Sequence, residues 1–105
     1  MIKHIALFSL KAEAAGKTSA ENKQQIIRNV DRLRSEIPVC KRIEASEQLQ
    51  RDHSAPWAAD LVVYVEFPTL DDYDAYFRHP VHQEAAAFAA SVSQRVEGIT
   101  YESAL

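Results

Sequence analysis

Residues Asp60–Phe67, with the sequence DLVVYVEF, carry the strongest strand pattern in the chain. β-Branched and aromatic side chains dominate this stretch, and such side chains favour the pleated backbone of a sheet. Pro68 follows directly, and because proline has no backbone N–H to donate to a sheet ladder, it predicts the end of the strand. The neighbouring segments can therefore be assigned outward from one well-defined strand.

A short helix is predicted directly after this strand. Thr69 is a favourable N-cap for a helix over residues 70–78, and Asp71 and Asp72 lie in the first turn, where the helix dipole favours negative charge. The same dipole accounts for the position of the nearby acidic side chains, so they do not indicate a site for a bound cation. The inner face of this helix is predicted to consist of Leu70, Tyr73, Tyr76 and Phe77.

Pro80 predicts a corner between two helices. It cannot continue the first helix, but its fixed φ and missing N–H suit the first turn of a second one. Residues 95–102 (RVEGITYE) then predict a closing strand that is interrupted by Gly98. The second helix is predicted to bury the side chains that recur at helical spacing, namely Val81, Ala85, Phe88, Ala89 and Val92.

The first third of the chain predicts a strand and a long helix. Residues 2–10 carry apolar side chains at both odd and even positions, which is typical of a strand covered on both faces. Thr18 followed three residues later by Glu21 matches a capping box, and the helix is predicted to run to Glu36 because Pro38 forbids continuation. Its apolar stripe consists of Ile26, Ile27, Val30, Leu33 and Ile37.

The middle of the chain is less regular. Residues 39–48 (VCKRIEASEQ) alternate only loosely and are charged throughout, which predicts an edge strand. Cys40 is interpreted as a plain strand residue, because no histidine nearby in the sequence could activate its thiol. Residues 49–59 predict a loop, in which Trp57 could be a pocket wall or an anchor for a dimer.

The predicted order is strand, helix, strand, strand, helix pair, strand, which is a ferredoxin-like βαββαβ unit of α+β class with a four-stranded antiparallel sheet. The chain of 105 residues is long enough for one domain only, residues 1–105. A single helix layer leaves the other sheet face bare. If His4, Phe8, Leu61 and Val63 lie under the helices, the bare face carries Ile5, Leu7, Val62 and Tyr64, which predicts a homodimer with two sheets packed face to face.

Composition excludes several classes of function. Twelve basic and fifteen acidic side chains give a net charge of −3, so no basic field attracts a nucleic acid or an anionic membrane. The apolar N-terminal run is too short for a signal peptide or a membrane span, which predicts a cytoplasmic protein. No His-x-His or His-Glu-x-x-His spacing occurs, and a proline turn splits His79 from His82, so no metal site and no cofactor are predicted.

Three blocks of sequence resemble the Dabb family, the stress-responsive dimeric α/β-barrel proteins. These are the opening IKHIALFSLK, the block DLVVYVEFPTLDDYDAYFRHPVHQE and the terminal VEGITYE, so that the resemblance covers essentially the whole chain. Membership implies a ferredoxin-like protomer and a dimer whose two sheets form an α/β barrel. Many members are known only as stress-associated proteins, whereas a plant polyketide cyclase with this fold closes a linear polyketide.

The resemblance also implies site residues. In the cyclase a tyrosine and a histidine of a Y-x-x-H-P-x-H segment carry the chemistry, and the matching positions here are Tyr76 and His82. The family's first-strand histidine corresponds to His4. The cyclase has another pocket histidine where this chain has Leu61, and its first-helix aromatic residues correspond to the aliphatic Ile26, Ile27 and Val30. The pocket of this chain is therefore more aliphatic than that of the cyclase.

Three hypotheses for function follow. The first is a stress-responsive barrel protein of unassigned activity whose apolar pocket binds a small hydrophobic ligand. The second is a cofactor-free cyclase-like enzyme with His82 as base and Tyr76 as donor, although Tyr76 could instead be a core aromatic and His82 a helix-start residue bonded to backbone. The third is a haem-degrading monooxygenase, by analogy of fold alone. The predicted pocket is lined by His4, Phe8, Val30, Val63, Tyr76 and His82.

Overall fold

The computed structural model describes residues 1–40, 42–49 and 59–105 of the chain. The elements in chain order are β1 (Ile2–Leu10), β2 (Glu13–Ala14), β3 (Lys17–Thr18), α1 (Ser19–Glu36), β4 (Arg42–Glu47), β5 (Leu61–Phe67), α2 (Leu70–Arg78), α3 (Pro80–Val92) and β6 (Ser93–Glu102). Four of the strands form one antiparallel sheet in the spatial order β4-β5-β1-β6, and the three helices cover one of its faces. The predicted ferredoxin-like βαββαβ unit is thus confirmed, with a helix pair as its second crossover.

The strand predicted from DLVVYVEF lies at the centre of the sheet as β5. Its side chains alternate between buried and half-buried positions along the whole strand, as the period of two in a strand requires. Full burial of one such aliphatic or aromatic side chain stabilises the fold by about 1.5–3 kcal/mol. The side chains that face the helices are Leu61, Val63, Val65 and Phe67.

Helix α1 begins at the predicted capping box. The Thr18 side chain accepts a hydrogen bond from the Glu21 N–H at 3.2 Å, and the Glu21 carboxylate accepts one from the Thr18 N–H at 3.0 Å. The helix ends at Glu36, before Pro38. Its inner face packs onto the sheet through Ile26, Val30 and Leu33.

The corner between α2 and α3 is stabilised by a histidine. His79 lies between the two helices, and its Nδ1 accepts a hydrogen bond from the Val81 N–H at 3.1 Å. Pro80 occupies the first turn of α3, where its missing N–H leaves no partner unsatisfied. The corner therefore turns the chain sharply and places the start of α3 close to the end of α2.

The second face of the sheet is not covered by any element among the described residues. Ile5, Leu7, Val62 and Tyr64 lie on it, as expected from the alternation in β1 and β5. The edge strand β6 adds Ile99, which is 58% exposed, and Tyr101. This surface, called the open face below, is a contiguous apolar patch of the kind that marks association sites.

Several local predictions were wrong. Leu70, predicted to face inward, is 59% exposed because it is the first residue of α2 and only the later turns reach the sheet. Cys40 precedes the edge strand instead of lying in it, and it is fully buried. Strand β6 begins two residues earlier than predicted, and its pairing with β1 continues through Gly98 without interruption.

A short hairpin replaces the expected polar connection before α1. Strands β2 and β3 pair around Ala15 and Gly16, both of which have positive φ, at 53° and 73°. Two consecutive positive φ values are typical of a two-residue hairpin turn, and glycine adopts them without steric cost. The predicted loop residue Trp57 lies outside the described residues.

Candidate functional site

A cavity of about 360 Å³ lies between the sheet and the helices. All six side chains that the sequence analysis assigned to a pocket line this one cavity: His4, Phe8, Val30, Val63, Tyr76 and His82. They come from five different elements, β1, α1, β5, α2 and α3. The fold thus brings together residues that are as many as 78 positions apart, from position 4 to position 82.

Small side chains create the empty space. Helix α3 turns Ala85, Ala86, Ala89 and Ala90 toward the cavity, and Gly98 of β6 completes this wall. The sequence analysis placed Ala85 and Ala89 on the inner face of this helix but not Ala86 and Ala90, so the alanine wall was not predicted. The signal was nevertheless present, because alanines at steps of one, three and four positions form one helical face. Phe77 and Val96, each about half exposed, stand at the mouth.

The ring of His82 is held in one orientation by the backbone. Its Nδ1 lies 3.0 Å from the carbonyl oxygen of Phe77. A carbonyl can only accept, so Nδ1 carries the proton, and in the neutral ring Nε2 is an unprotonated acceptor. Within the described part of the chain Nε2 has no hydrogen-bond partner. The site therefore presents a free imidazole lone pair on a side chain that lines the cavity.

Burial keeps this imidazole neutral. Desolvation lowers the pKa of His82, and the repulsion of His79 lowers it further, while the hydrogen bond to Phe77 opposes both. His4 lines the same cavity, and desolvation followed by repulsion from His82 lowers its pKa as well. Both rings are accordingly uncharged near neutral pH, the state in which an imidazole can accept a proton.

Tyr76 is buried beside His82. The two rings lie 4.3 Å apart between centroids, and the Tyr76 ring also packs against Phe67 at 5.0 Å. Desolvation raises the pKa of the phenol well above its ordinary value, so the hydroxyl keeps its proton. No described residue forms a hydrogen bond with this hydroxyl. Tyr76 therefore supplies a hydrogen-bond donor that has no partner among the described residues, on a ring that packs against that of a potential base.

His4 is oriented by a partner that the sequence analysis did not identify. Its Nδ1 lies 2.8 Å from the hydroxyl of Thr100 on the neighbouring strand. The His4 ring also packs against the Tyr73 ring in a tilted arrangement, with the two centroids 5.6 Å apart. A pair separated by 96 positions depends on strand register, which no local pattern of the sequence reveals.

The lowered pKa values of the two histidines predict a pH-dependent stability. The unfolded chain, with histidine pKa near 6.5, binds more protons than the folded chain, so stability rises with pH in this range. The free energy of unfolding is expected to fall as the pH drops below about 6.5, toward the lowered folded-state values. Urea titrations between about pH 7.5 and 5.5 would measure this slope. In His82→Gln the slope should be smaller, and an unchanged slope would contradict the prediction.

Other candidate groups do not join the site. Cys40 is buried outside the cavity lining, and desolvation raises the pKa of its thiol to about 11, which makes it a poor nucleophile. Among residues 1–40, 42–49 and 59–105, no three histidine, cysteine, aspartate or glutamate side chains converge on a possible metal position. Over the same ranges, no helix has the length and apolar character needed to cross a bilayer.

Comparison with known proteins gives a family match. The family model of the stress responsive A/B barrel domain (Dabb) matches residues 2–102. No curated protein matches the chain. The family match therefore covers the sheet, the helices and every residue that lines the cavity.

Solved structures share the whole fold. A dimeric ferredoxin-like protein of unknown function from Bacteroides fragilis is 25% identical, with a TM-score of 0.72 over 97% of this chain and 95% of that one. A dimeric ferredoxin-like protein of unknown function from Thermobifida fusca is 26% identical, with a TM-score of 0.77 over 95% and 88%. The hydroxynitrile lyase of Passiflora edulis is 18% identical, with a TM-score of 0.81 over 95% and 90%.

Proposed function

The chain belongs to the family of stress responsive A/B barrel domains (Dabb), and from this premise we propose that its cavity binds a small hydrophobic ligand. The observation that carries the proposal is the cavity itself. Its volume of about 360 Å³ lies within the range of small-molecule sites, roughly 300–1,000 Å³. Its walls are mainly aliphatic, aromatic and alanine side chains, with a few polar groups at defined points. This is the composition by which proteins hold apolar ligands in a fixed orientation.

The size of the cavity limits the ligand. If each non-hydrogen atom takes roughly the 30 Å³ that a water molecule occupies in the liquid, the cavity holds on the order of a dozen such atoms. A medium-chain ketone such as nonan-2-one fits this limit. A porphyrin contains far more atoms, so the cavity gives no support to the hypothesis of a haem-degrading monooxygenase.

A matched pair of alanine substitutions tests the ligand site. Ala89→Phe fills the cavity from α3 and is expected to weaken the binding of nonan-2-one at least about tenfold, because the ring occupies the ligand's space. Ala87→Phe adds the same ring to the exposed side of the same helix and should bind like the wild type. Isothermal titration measures both affinities, and circular dichroism checks that both variants are folded. Equal affinities in the two variants would contradict the proposed site.

A second candidate function is acid–base chemistry on a carbonyl compound. The free Nε2 of His82 favours it, on a ring whose centroid lies 4.3 Å from that of Tyr76. Nε2 can take a proton from the carbon next to a carbonyl group, while the Tyr76 hydroxyl donates a hydrogen bond to the oxygen on which negative charge develops. Such a step needs no metal or cofactor. The hydroxynitrile lyase of Passiflora edulis has the same fold, which is compatible with an enzyme of this class.

The active unit is proposed to be a homodimer in the cytoplasm, with two open faces packed against each other as an α/β barrel. The related structures from Bacteroides fragilis and Thermobifida fusca are dimeric, which supports this assembly. The exposed apolar side chains of the open face support it independently, since water contact with such a surface is unfavourable. The cavity lies between the sheet and the helices, so the sheet separates it from the open face and each protomer would keep its own cavity.

A further inference from the structure

A second cavity adjoins the first. It has a volume of about 290 Å³, lies between α1 and α3, and is called the polar cleft here. Asn29 and Ala85 line both the polar cleft and the apolar cavity, so the two spaces meet at these residues. In contrast to the first cavity, the cleft is lined mainly by polar and charged side chains: Lys17, Asn22, Gln25, Asn29, Arg32 and Glu84.

A chain of hydrogen bonds fixes which end of the Asn29 amide is free. The guanidinium of Arg28 donates to Gln25 Oε1 at 2.9 Å, and Gln25 Nε2 donates to Asn29 Oδ1 at 2.9 Å. A guanidinium group can only donate, so Gln25 accepts through its oxygen and must donate through its nitrogen. Asn29 therefore accepts from Gln25 through its own oxygen. Its Nδ2 group has no partner among the described residues and remains a donor at the junction of the two cavities.

The charges of the cleft are nearly balanced. Lys17 and Arg32 contribute two positive charges, Glu84 contributes one negative charge 3.3 Å from Arg32 Nη1, and Arg32 is also paired with Glu36. The preference for an acceptor head group therefore rests on the free donor of Asn29.

Asn22 forms the buried floor of the cleft. Its Nδ2 donates to the Ala14 carbonyl, and its buried Oδ1 has no partner within the described part of the chain. The cleft is thus built for polar occupants, whereas the adjoining cavity is apolar.

We propose that the ligand of the apolar cavity is a medium-chain carboxylate whose oxygen accepts a hydrogen bond from Asn29 Nδ2. The hydrocarbon chain lies in the apolar cavity, and the carboxylate lies at the junction, facing the polar cleft. Asn29 then selects ligands whose head group accepts a hydrogen bond over ligands whose head group donates one. Gln25 holds the Asn29 amide in the orientation that this selection requires. This inference rests on the proposed ligand site and specifies the chemistry of the molecule held there.

The first test compares three probes with the same hydrocarbon chain: nonanoate, nonan-2-one and nonylamine. Wild-type protein is expected to bind nonanoate most tightly and nonylamine most weakly. Asn29→Asp replaces the donor with an acceptor of the same shape, so nonanoate should bind about 10- to 100-fold more weakly, while nonylamine should not lose affinity. Gln24→Glu adds the same negative charge on the exposed side of α1 and should leave the order of the probes unchanged.

The second test turns the side-chain amide of Asn29 around by changing its neighbour Gln25 instead of Asn29 itself. Glutamate at position 25 can still accept from Arg28 but has no hydrogen to donate, so Asn29 is expected to turn its Nδ2 toward it. The oxygen of Asn29 then faces the junction. Gln25→Glu should therefore weaken nonanoate and strengthen nonylamine relative to the Gln24→Glu control. A residue needed only for the stability of the helix would change the three affinities by the same factor.

The outcomes separate this inference from the ligand site itself. If nonanoate, nonan-2-one and nonylamine respond equally to Asn29→Asp and to Gln25→Glu, the role of Asn29 is overturned and the hydrophobic site stands. If none of the three probes binds the wild type, the proposed ligand site fails and the carboxylate fails with it. Isothermal titration gives all the affinities. The side-chain amide signals of Asn29 in a ¹⁵N-correlated NMR spectrum should shift with nonanoate, and signals that do not move would contradict the contact.

Discussion

In heavy water, the wild-type protein is expected to exchange the protons next to the carbonyl group of nonan-2-one for deuterium, and His82→Gln should slow this exchange about 10²- to 10⁴-fold. His82 Nε2 takes a proton from carbon, the enolate oxygen accepts a hydrogen bond from Tyr76, and the ring returns a deuteron after exchange with solvent. Glutamine can keep a hydrogen bond to the Phe77 carbonyl but cannot accept the proton. Proton NMR follows the loss of the ketone signals directly and requires no knowledge of the natural substrate.

Two further variants sharpen this measurement. Tyr76→Phe removes the donor to the enolate oxygen and should slow exchange by up to about 10²- to 10³-fold, as for loss of one donor in an oxyanion site. His79→Gln changes the neighbouring histidine, which does not line the cavity, and should alter the rate per bound ketone far less than His82→Gln, because it removes only a charge repulsion and leaves Nε2 in place. Equal rates in wild type and His82→Gln, with ketone bound in both, would rule out the base and leave a binding protein.

The wild-type chain is expected to sediment as a dimer, and Ile99→Glu is expected to convert it to a monomer. Ile99 lies at the open face opposite Ile5, and its side chain is 58% exposed in a single protomer. In the proposed dimer each protomer would have to bury a carboxylate without a partner, which costs several kcal/mol per ion. Analytical ultracentrifugation over a range of concentrations measures the dissociation constant of both proteins.

The control adds the same charge to a different surface. Ala87→Glu adds the same carboxylate on the exposed side of α3, in the helix layer that covers the other face of the sheet, and should leave the dimer intact. A wild-type chain that stays monomeric at high concentration would refute the proposed assembly. Dissociation of both variants would instead locate the interface elsewhere.

The fold was predicted well where it depends on interactions between residues that are close together in the sequence. The alternation in β5, the Thr18–Glu21 capping box and the position of Pro80 each depend on neighbours a few residues away, and each matches the structure. Leu70 and Gly98 were misjudged for a different reason. Whether a helix turn reaches the sheet, or a glycine stays paired in a strand, is decided by tertiary packing and not by propensity.

The candidate site was likewise predicted only in part. The six residues named from pattern and resemblance do line one cavity, because the side-chain periods of strands and helices point them inward. The hydrogen-bond partners of those residues could not be anticipated. The Thr100 hydroxyl beside His4 depends on strand register, and the free donor of Asn29 depends on a three-residue relay that begins at Arg28. Such details are set by geometry at the scale of one ångström.

The alanine wall of α3 suggests how ligand length could diverge among relatives of this protein. Each alanine that lines the cavity can gain methyl groups one at a time without touching the hydrogen-bonded ladder of the sheet. An exchange of alanine for valine would reduce the volume of the cavity, so that only a shorter hydrocarbon chain fits, while the imidazole and the phenol keep their positions. Selectivity for chain length could thus evolve independently of the reactive groups, through changes on a single helical face.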